Sequence, residues 1–181
     1  LTTIFSLIEK DEPGAIDCIQ SSPAWKVTGA NTMRELVDLE RKQLLSIAYQ
    51  HINNGVRIKD PQRFDCYGDL SCGKNVIIDI NVIIKGKVVI GNNCTIGAGC
   101  ILDNVTLADN VSIHPNSLLQ KCHLAQGASA GPFAYCRENT KVGADGQVGC
   151  FVETKSTVIG KNSKAKHLSY LGNLVVGEHC N

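Results

Sequence analysis

The chain has 181 residues, 43% of them hydrophobic and 5% aromatic, with 18 Lys+Arg against 17 Asp+Glu and a formal charge of +1. That balance argues against a nucleic-acid partner, and no run of about 18 apolar residues offers a membrane insertion. Nine cysteines are many, but the count is odd and no CxxC occurs, so paired zinc knuckles and a thioredoxin-like motif are unsupported.

The chain begins at Leu1, and its only methionine is Met33. This predicts a piece of a longer or processed product. Residues 1–30 hold a helix-like stretch (Ile4 to Glu9), a turn (Asp11 to Gly14) and a candidate strand, too little for a domain. Thr32-Met33-Arg34-Glu35 is a capping-box pattern. Leu36, Leu39, Leu44, Leu45, Ile47 and Ala48 follow at three- and four-residue intervals. This predicts an amphipathic helix of about 20 residues. Asn53-Asn54-Gly55 supplies its stop, and Asp60-Pro61 a turn into a β region. Leu70 to Val89 is β-rich but irregular, as expected of an opening coil.

From Ile90 an aliphatic residue recurs every five or six positions: Ile90, Ile96, Leu102, Leu107, Ile113, Leu119, Leu124, Ala130, Cys136, Val142, Val148, Thr154, Ile159, Ala165, Leu171, Val176. Twelve of these sixteen are Ile, Leu or Val, too many for chance. This is a hexapeptide repeat, the mark of a parallel β-helix. Three hexapeptides make one triangular coil of 17 or 18 residues, and coils stack at about 4.8 Å. The residue four places after each start also points inward where space is tight. Cys94, Cys100, Ser117, Ala128, Ala134, Ser163, Ser169 and Cys180 are accordingly small. Cys94, Cys100, Cys136 and Cys180 thus read as core residues. Cys18, Cys66, Cys72, Cys122 and Cys150 have no role in this pattern.

The same arithmetic stacks Lys155 one coil above Arg137, and Tyr170 one coil above Glu153. All four line one corner of the prism, with His167 on the same face as Tyr170. Two stacked cations repel unless an anion sits between them. The corner is either a phosphate or carboxylate site or surface charge satisfied by Glu153. A His with a neighbouring carboxylate suits a general base, since the carboxylate selects the ring nitrogen that carries the proton.

Residues 56–181 resemble the left-handed β-helix of the bifunctional N-acetylglucosamine-1-phosphate uridyltransferase / glucosamine-1-phosphate acetyltransferase family. The resemblance rests on Asp60-Pro61-Gln62-Arg63-Phe64-Asp65, Asn81-Val82-Ile83-Ile84, Gly131-Pro132-Phe133-Ala134, Phe151-Val152-Glu153 and Ser163-Lys164-Ala165-Lys166-His167-Leu168-Ser169-Tyr170-Leu171-Gly172. Upstream, Gly29-Ala30-Asn31-Thr32 through Leu39-Glu40-Arg41 resembles the end of the family's uridyltransferase domain and its connecting helix.

The resemblance implies roles. His167 would be the catalytic base on the sugar amine, with Glu153 supporting it. Arg137, Lys155, Tyr170 and Asn181 would bind the amino-sugar phosphate, and Asn31 would hold magnesium in the uridyltransferase half. It implies a cytoplasmic homotrimer acting on glucosamine 1-phosphate with acetyl-CoA, then on UTP, to make UDP-N-acetylglucosamine for cell-wall and lipopolysaccharide synthesis. Cys150, Lys166 and Asn173 depart from the family's usual Asn, Gly and Asp. The implied nucleotide loop and the other magnesium ligand fall before Leu1, and the acetyl-CoA coils after Asn181. The chain as given is therefore expected to have weak or no activity.

The expected fold is a left-handed parallel β-helix preceded by a linker α-helix and the end of an α/β nucleotidyltransferase domain. Residues 1–31 would be that domain's remnant, 32–55 the helix and 56–181 the β-helix. Other readings remain: a different hexapeptide N-acyltransferase, a non-catalytic trimeric scaffold, or a zinc-dependent hydratase. The last is disfavoured because His114, His123 and His167 fall at different repeat phases.

Overall fold

A computed structural model describes residues 2–17 and 19–181. Cys18, left without a role above, lies outside them. The chain divides into two compact units, residues 1–40 and 41–181.

In the first unit, helix α1 spans Thr2–Asp11 and a short 3-10 turn spans Ala24–Val27. Among the described residues before Thr32 there is no strand, so the candidate strand there is not formed. Helix α2 is Met33–Asn53. Its capping box forms: the Glu35 N–H donates to Thr32 Oγ1 at 3.2 Å, and the Glu35 carboxylate accepts from the Asn31 and Thr32 N–H groups at 2.6 and 3.2 Å. At the other end Gly55 takes φ 91°, Gly55 N–H donates to Ile52 O, and Val56 N–H donates to His51 O. This is a Schellman stop, which needs the left-handed φ that glycine adopts without a Cβ clash.

The second unit is a parallel β-helix of about seven turns. Leu44 and Ala48, one helical turn apart, are the buried residues of α2. Arg41 Nη1 donates to Asp65 Oδ1 at 2.8 Å and Gln62 O at 3.2 Å, holding the helix to the first coil. The ladder starts at Arg57–Ile58, which pairs with Ile77–Ile78, earlier than the irregular Leu70–Val89 stretch suggested. All pairings are parallel, and one ladder runs Cys72, Ile90, Leu107, Leu124, Val142, Ile159, Val176. This is the column expected from the 17- and 18-residue spacing.

Every repeat start from Ile90 through Ile159 is buried, Ala130, Cys136 and Thr154 included. The second inward position is less tight than size alone suggested. Cys94, Cys100, Ser117, Ala128, Ala134 and Ser163 are buried there, but so are Val105, Val111 and Val152. Cys122 is a further inward residue, buried, and Cys66 pairs in register with the core residue Ile84.

Many of the small residues also donate to a carbonyl 14 residues onward. Cys94 Sγ reaches Ala108 O and Cys100 Sγ reaches His114 O, each at 3.1 Å; Thr157 Oγ1 reaches Leu171 O at 2.8 Å and Ser163 Oγ reaches Gly177 O at 2.6 Å. A short side chain with one donor fills the corner and pairs a carbonyl there. Burial pushes the thiols of Cys72 and Cys136 up to about 12 and that of Cys122 higher still, so they are packing groups rather than nucleophiles.

Ser169 and Cys180, expected inside, are exposed. With Ala165, Leu171, Val176 and Asn181 they line a concavity. Inward residues of a solenoid are covered by the next coil, and among the described residues Lys164–Gly172 and Val175–Val176 are each paired on one side only.

Corners are made mainly by asparagines at positive φ, such as Asn93, Asn110, Asn139 and Asn162, the non-glycine residue that tolerates this region best. One corner differs. Phe133, Phe151 and Leu168 occupy it with φ of 54°, 54° and 49°, and the Phe133 and Phe151 rings stack at 5.1 Å. At Phe151 and Leu168 the backbone runs through without a break, as nine-residue strands Gln147–Lys155 and Lys164–Gly172 that pair in register.

Candidate active site

The face after this corner carries two outward columns flanking the inward residues Cys136, Thr154 and Leu171. One is Tyr135, Glu153, Tyr170, paired directly in register. The other is Arg137, Lys155, Gly172. Cys136 pairs with Thr154, Arg137 N–H donates to Thr154 O at 2.8 Å, and Lys155 pairs with Gly172. The stacking of Arg137 under Lys155 and of Glu153 under Tyr170 is therefore as the repeat predicts.

The charges are arranged more specifically than the repeat could show. Arg137 Nη1 donates to Glu153 Oε1 at 2.8 Å. That bond is the main reason the guanidinium sits above its ordinary value, with desolvation opposing it. Glu138 is the second carboxylate. Its Oε2 lies 3.7 Å from Arg137 Nε and its Oε1 3.4 Å from Lys155 Nζ. Its own backbone N–H, then Lys155 and Arg137, hold its carboxyl below the ordinary value. Arg137 Nε is buried and has no hydrogen-bond partner among the described residues. The guanidinium lies 5.7 Å from the centroid of the Tyr135 ring, whose hydroxyl donates to Gln120 Oε1 at 2.7 Å. A Cβ at position 172 would stand 2.7 Å from the Tyr170 hydroxyl. The glycine therefore lets the exposed Tyr170 ring lean over the cation column.

Glu138, Tyr135, Gln120 and Gly172 were not singled out by sequence. Glu138 directly follows Arg137, and that adjacency was the available signal. The arrangement is a half-exposed corner of two guanidinium or ammonium groups and two carboxylates under a phenol. It can take an anion on the cations if a carboxylate gives way.

His167 does not join this cluster. It pairs in register with Cys150, and the positive-φ residue Leu168 separates it from Ser169 and Tyr170. It stands on the corner rather than on the face of Tyr170. Its ring is exposed and makes no hydrogen bond or ion pair among the described residues. Glu153, expected to support it, is committed to Arg137 instead. Asn181 is exposed and lines the concavity near Lys166 and Cys180.

Asn31 is exposed, and its backbone N–H is taken by Glu35. No group of three or more His, Cys, Asp or Glu among the described residues could hold a metal. Magnesium takes six oxygens in a near-ideal octahedron, so one amide does not make a magnesium site, and no step is routed through one. No helix among the described residues is long and apolar enough to cross a membrane.

Residues 66–152 match the family described as the GMPPB C-terminal domain. Curated relatives named "Bifunctional protein GlmU" are more extensively similar. The protein from Idiomarina loihiensis is 41% identical over 162 residues, covering 90% of this chain and 36% of the relative. That from Legionella pneumophila strain Paris is 41% identical over 181 residues, covering 100% of this chain and 39% of the relative. The chain thus spans little more than a third of the length of the relatives it matches. Among solved structures, a variant of AntD, an N-acyltransferase from Bacillus cereus solved with dTDP and coenzyme A, shares the fold. It is 16% identical with a TM-score of 0.51, over 58% of this chain and 77% of that one. On its sequence the chain is similar over 90–100% of its length to proteins named GlmU, and it has the hexapeptide β-helix that its repeat predicts.

Proposed function

We propose that this chain carries the amino-sugar-phosphate corner of a glucosamine-1-phosphate N-acetyltransferase within a bifunctional enzyme. The observation that carries this reading is the Arg137–Lys155 ladder beneath Tyr170, with Gly172 leaving room for the ring. Arg137 and Lys155 take the phosphate of glucosamine 1-phosphate, and Tyr170 closes over it. Asn181 adds a polar contact from the last coil. His167, exposed on the adjoining corner, accepts the proton as the amine attacks the thioester carbon of acetyl-CoA. The C–N bond forms, the C–S bond breaks, and coenzyme A leaves as a thiolate that takes up the proton from His167 to become its thiol. Glu153 acts on Arg137 as a positioning residue.

In this reading residues 1–31 close a uridyltransferase domain, 32–55 connect, and 56–181 form the acetyltransferase β-helix. A uridylyl-transfer half would take UTP and magnesium, to which Asn31 would offer a single oxygen ligand. The assembly is a cytoplasmic homotrimer.

A non-catalytic scaffold is the second reading. It is favoured by the match of each cation to a carboxylate within the chain. Calorimetric titration of the full chain with glucosamine 1-phosphate separates the two. Saturable binding that Arg137→Ala and Lys155→Ala each abolish supports the transferase corner. Absence of binding at millimolar ligand overturns it and supports the scaffold.

A further inference from the structure

The two carboxylates of this corner are held differently. Glu153 meets Arg137 at 2.8 Å, the length of a charge-assisted hydrogen bond. Glu138 sits between both cations yet is bonded tightly to neither, at 3.7 Å from Arg137 Nε and 3.4 Å from Lys155 Nζ. The buried Arg137 Nε lacks an acceptor although this carboxylate lies 3.7 Å away. Glu138 directly follows Arg137 in the chain, so its short backbone tether holds it beside both cations of the Arg137–Lys155 column without aligning it on Nε. The side chain is 37% exposed and free to swing outward.

We propose that Glu138 is a specificity-determining residue of this corner, a tethered anion standing where an oxygen of a phosphate monoester would bridge Arg137 and Lys155. A ligand enters by displacing it. With Glu138 in place the two cations face two carboxylates, so a weak anion gains nothing by exchange. A phosphate dianion offers more charge and an oxygen that can reach Nε, and displaces Glu138 at reduced affinity. The corner thereby admits doubly charged phosphate esters and rejects carboxylates and other monoanions. This rests on the proposal that the corner binds phosphate, and deepens it.

The test is calorimetric titration of the full chain at pH 8, with inorganic phosphate, glucosamine 1-phosphate and acetate as probes. Glu138→Gln should bind both phosphates about tenfold more tightly, the order of one gained charge contact, and should acquire measurable acetate binding. Glu138→Asp, which keeps the charge and controls for folding, should stay within about threefold of the parent. Adding Arg137→Ala to Glu138→Gln should cancel the gain. Equal phosphate affinity in parent and Glu138→Gln overturns the role of Glu138 and leaves the phosphate corner standing. Absence of phosphate binding in both overturns the corner itself. A gain that survives Arg137→Ala also overturns the proposal, since displacement would then not free that guanidinium.

Discussion

His167 stands in register with Cys150 one coil away, while Glu153, three residues further along that strand, pairs with Tyr170. Between the two pairs lie Phe151 and Leu168, both at positive φ. The imidazole and the carboxylate are therefore on different sides of a bend. Glu153→Gln should shift the NMR signals of the Arg137 guanidinium and the Tyr170 ring while leaving those of the His167 ring in place. A His167 displacement as large as that of Tyr170 would show that the carboxylate does brace the imidazole.

Two glycines on these strands should respond in opposite ways to alanine. At Gly149 a Cβ would collide with the backbone carbonyl of Lys166 in the next coil. A backbone that is part of a ladder cannot yield, so Gly149→Ala should cost about 1–3 kcal/mol, the range for overpacking, read as a lower urea midpoint. At Gly172 the obstacle is the far end of an exposed Tyr170 side chain. Gly172→Ala should keep the urea midpoint and weaken glucosamine 1-phosphate binding, because the ring is pushed off the cation column. An unchanged affinity would dismiss Tyr170 as the closing group.

Thiol chemistry should divide the described cysteines by burial. Brief iodoacetamide treatment at pH 8 should alkylate Cys180, which is exposed, and then Cys150, which is half-buried. Cys72 and Cys136, held to about 12 by desolvation, and the buried Cys94, Cys100 and Cys122 should remain unmodified until the chain unfolds. Peptide mass mapping reads this directly. Early alkylation of Cys136 would contradict its place in the core ladder.

Acid should destabilise the β-helix by a known route. Asp79 is held below its ordinary value of 3.8 chiefly by Lys59, Asp60 by Arg63, and Asp109 by the backbone N–H of Asn92. The unfolded chain then binds more protons than the folded one below about pH 4. These contributions are fully present above about pH 5 and are lost as pH falls through and below 3.8. Half-buried His51 is lowered from 6.5 by desolvation, so protonating it also costs the fold, starting from about pH 6.5 downward. Urea midpoints across pH 3 to 8 should show both steps, and His51→Gln should remove only the upper one. Stability that rises between pH 5 and 3 would refute this account.

The amino-acid order by itself determined the coil. A period of five to six residues with aliphatic starts is a local property, and stacking identical phases leaves one arrangement in which those starts meet. Columns such as Ile90 to Val176, the helix with its capping box, and the superposition of Arg137 with Lys155 follow from counting. The tertiary structure decided what counting cannot carry. Whether Glu138 reaches both cations, whether Tyr170 leans over Gly172, and on which side of a bend His167 lies depend on rotamers and on where the backbone turns. A phenylalanine or leucine standing where the repeat has asparagine does not announce a corner. Cys180 shares the phase of buried residues, yet it is exposed, because burial in a solenoid comes from the neighbouring coil rather than from the residue's own position.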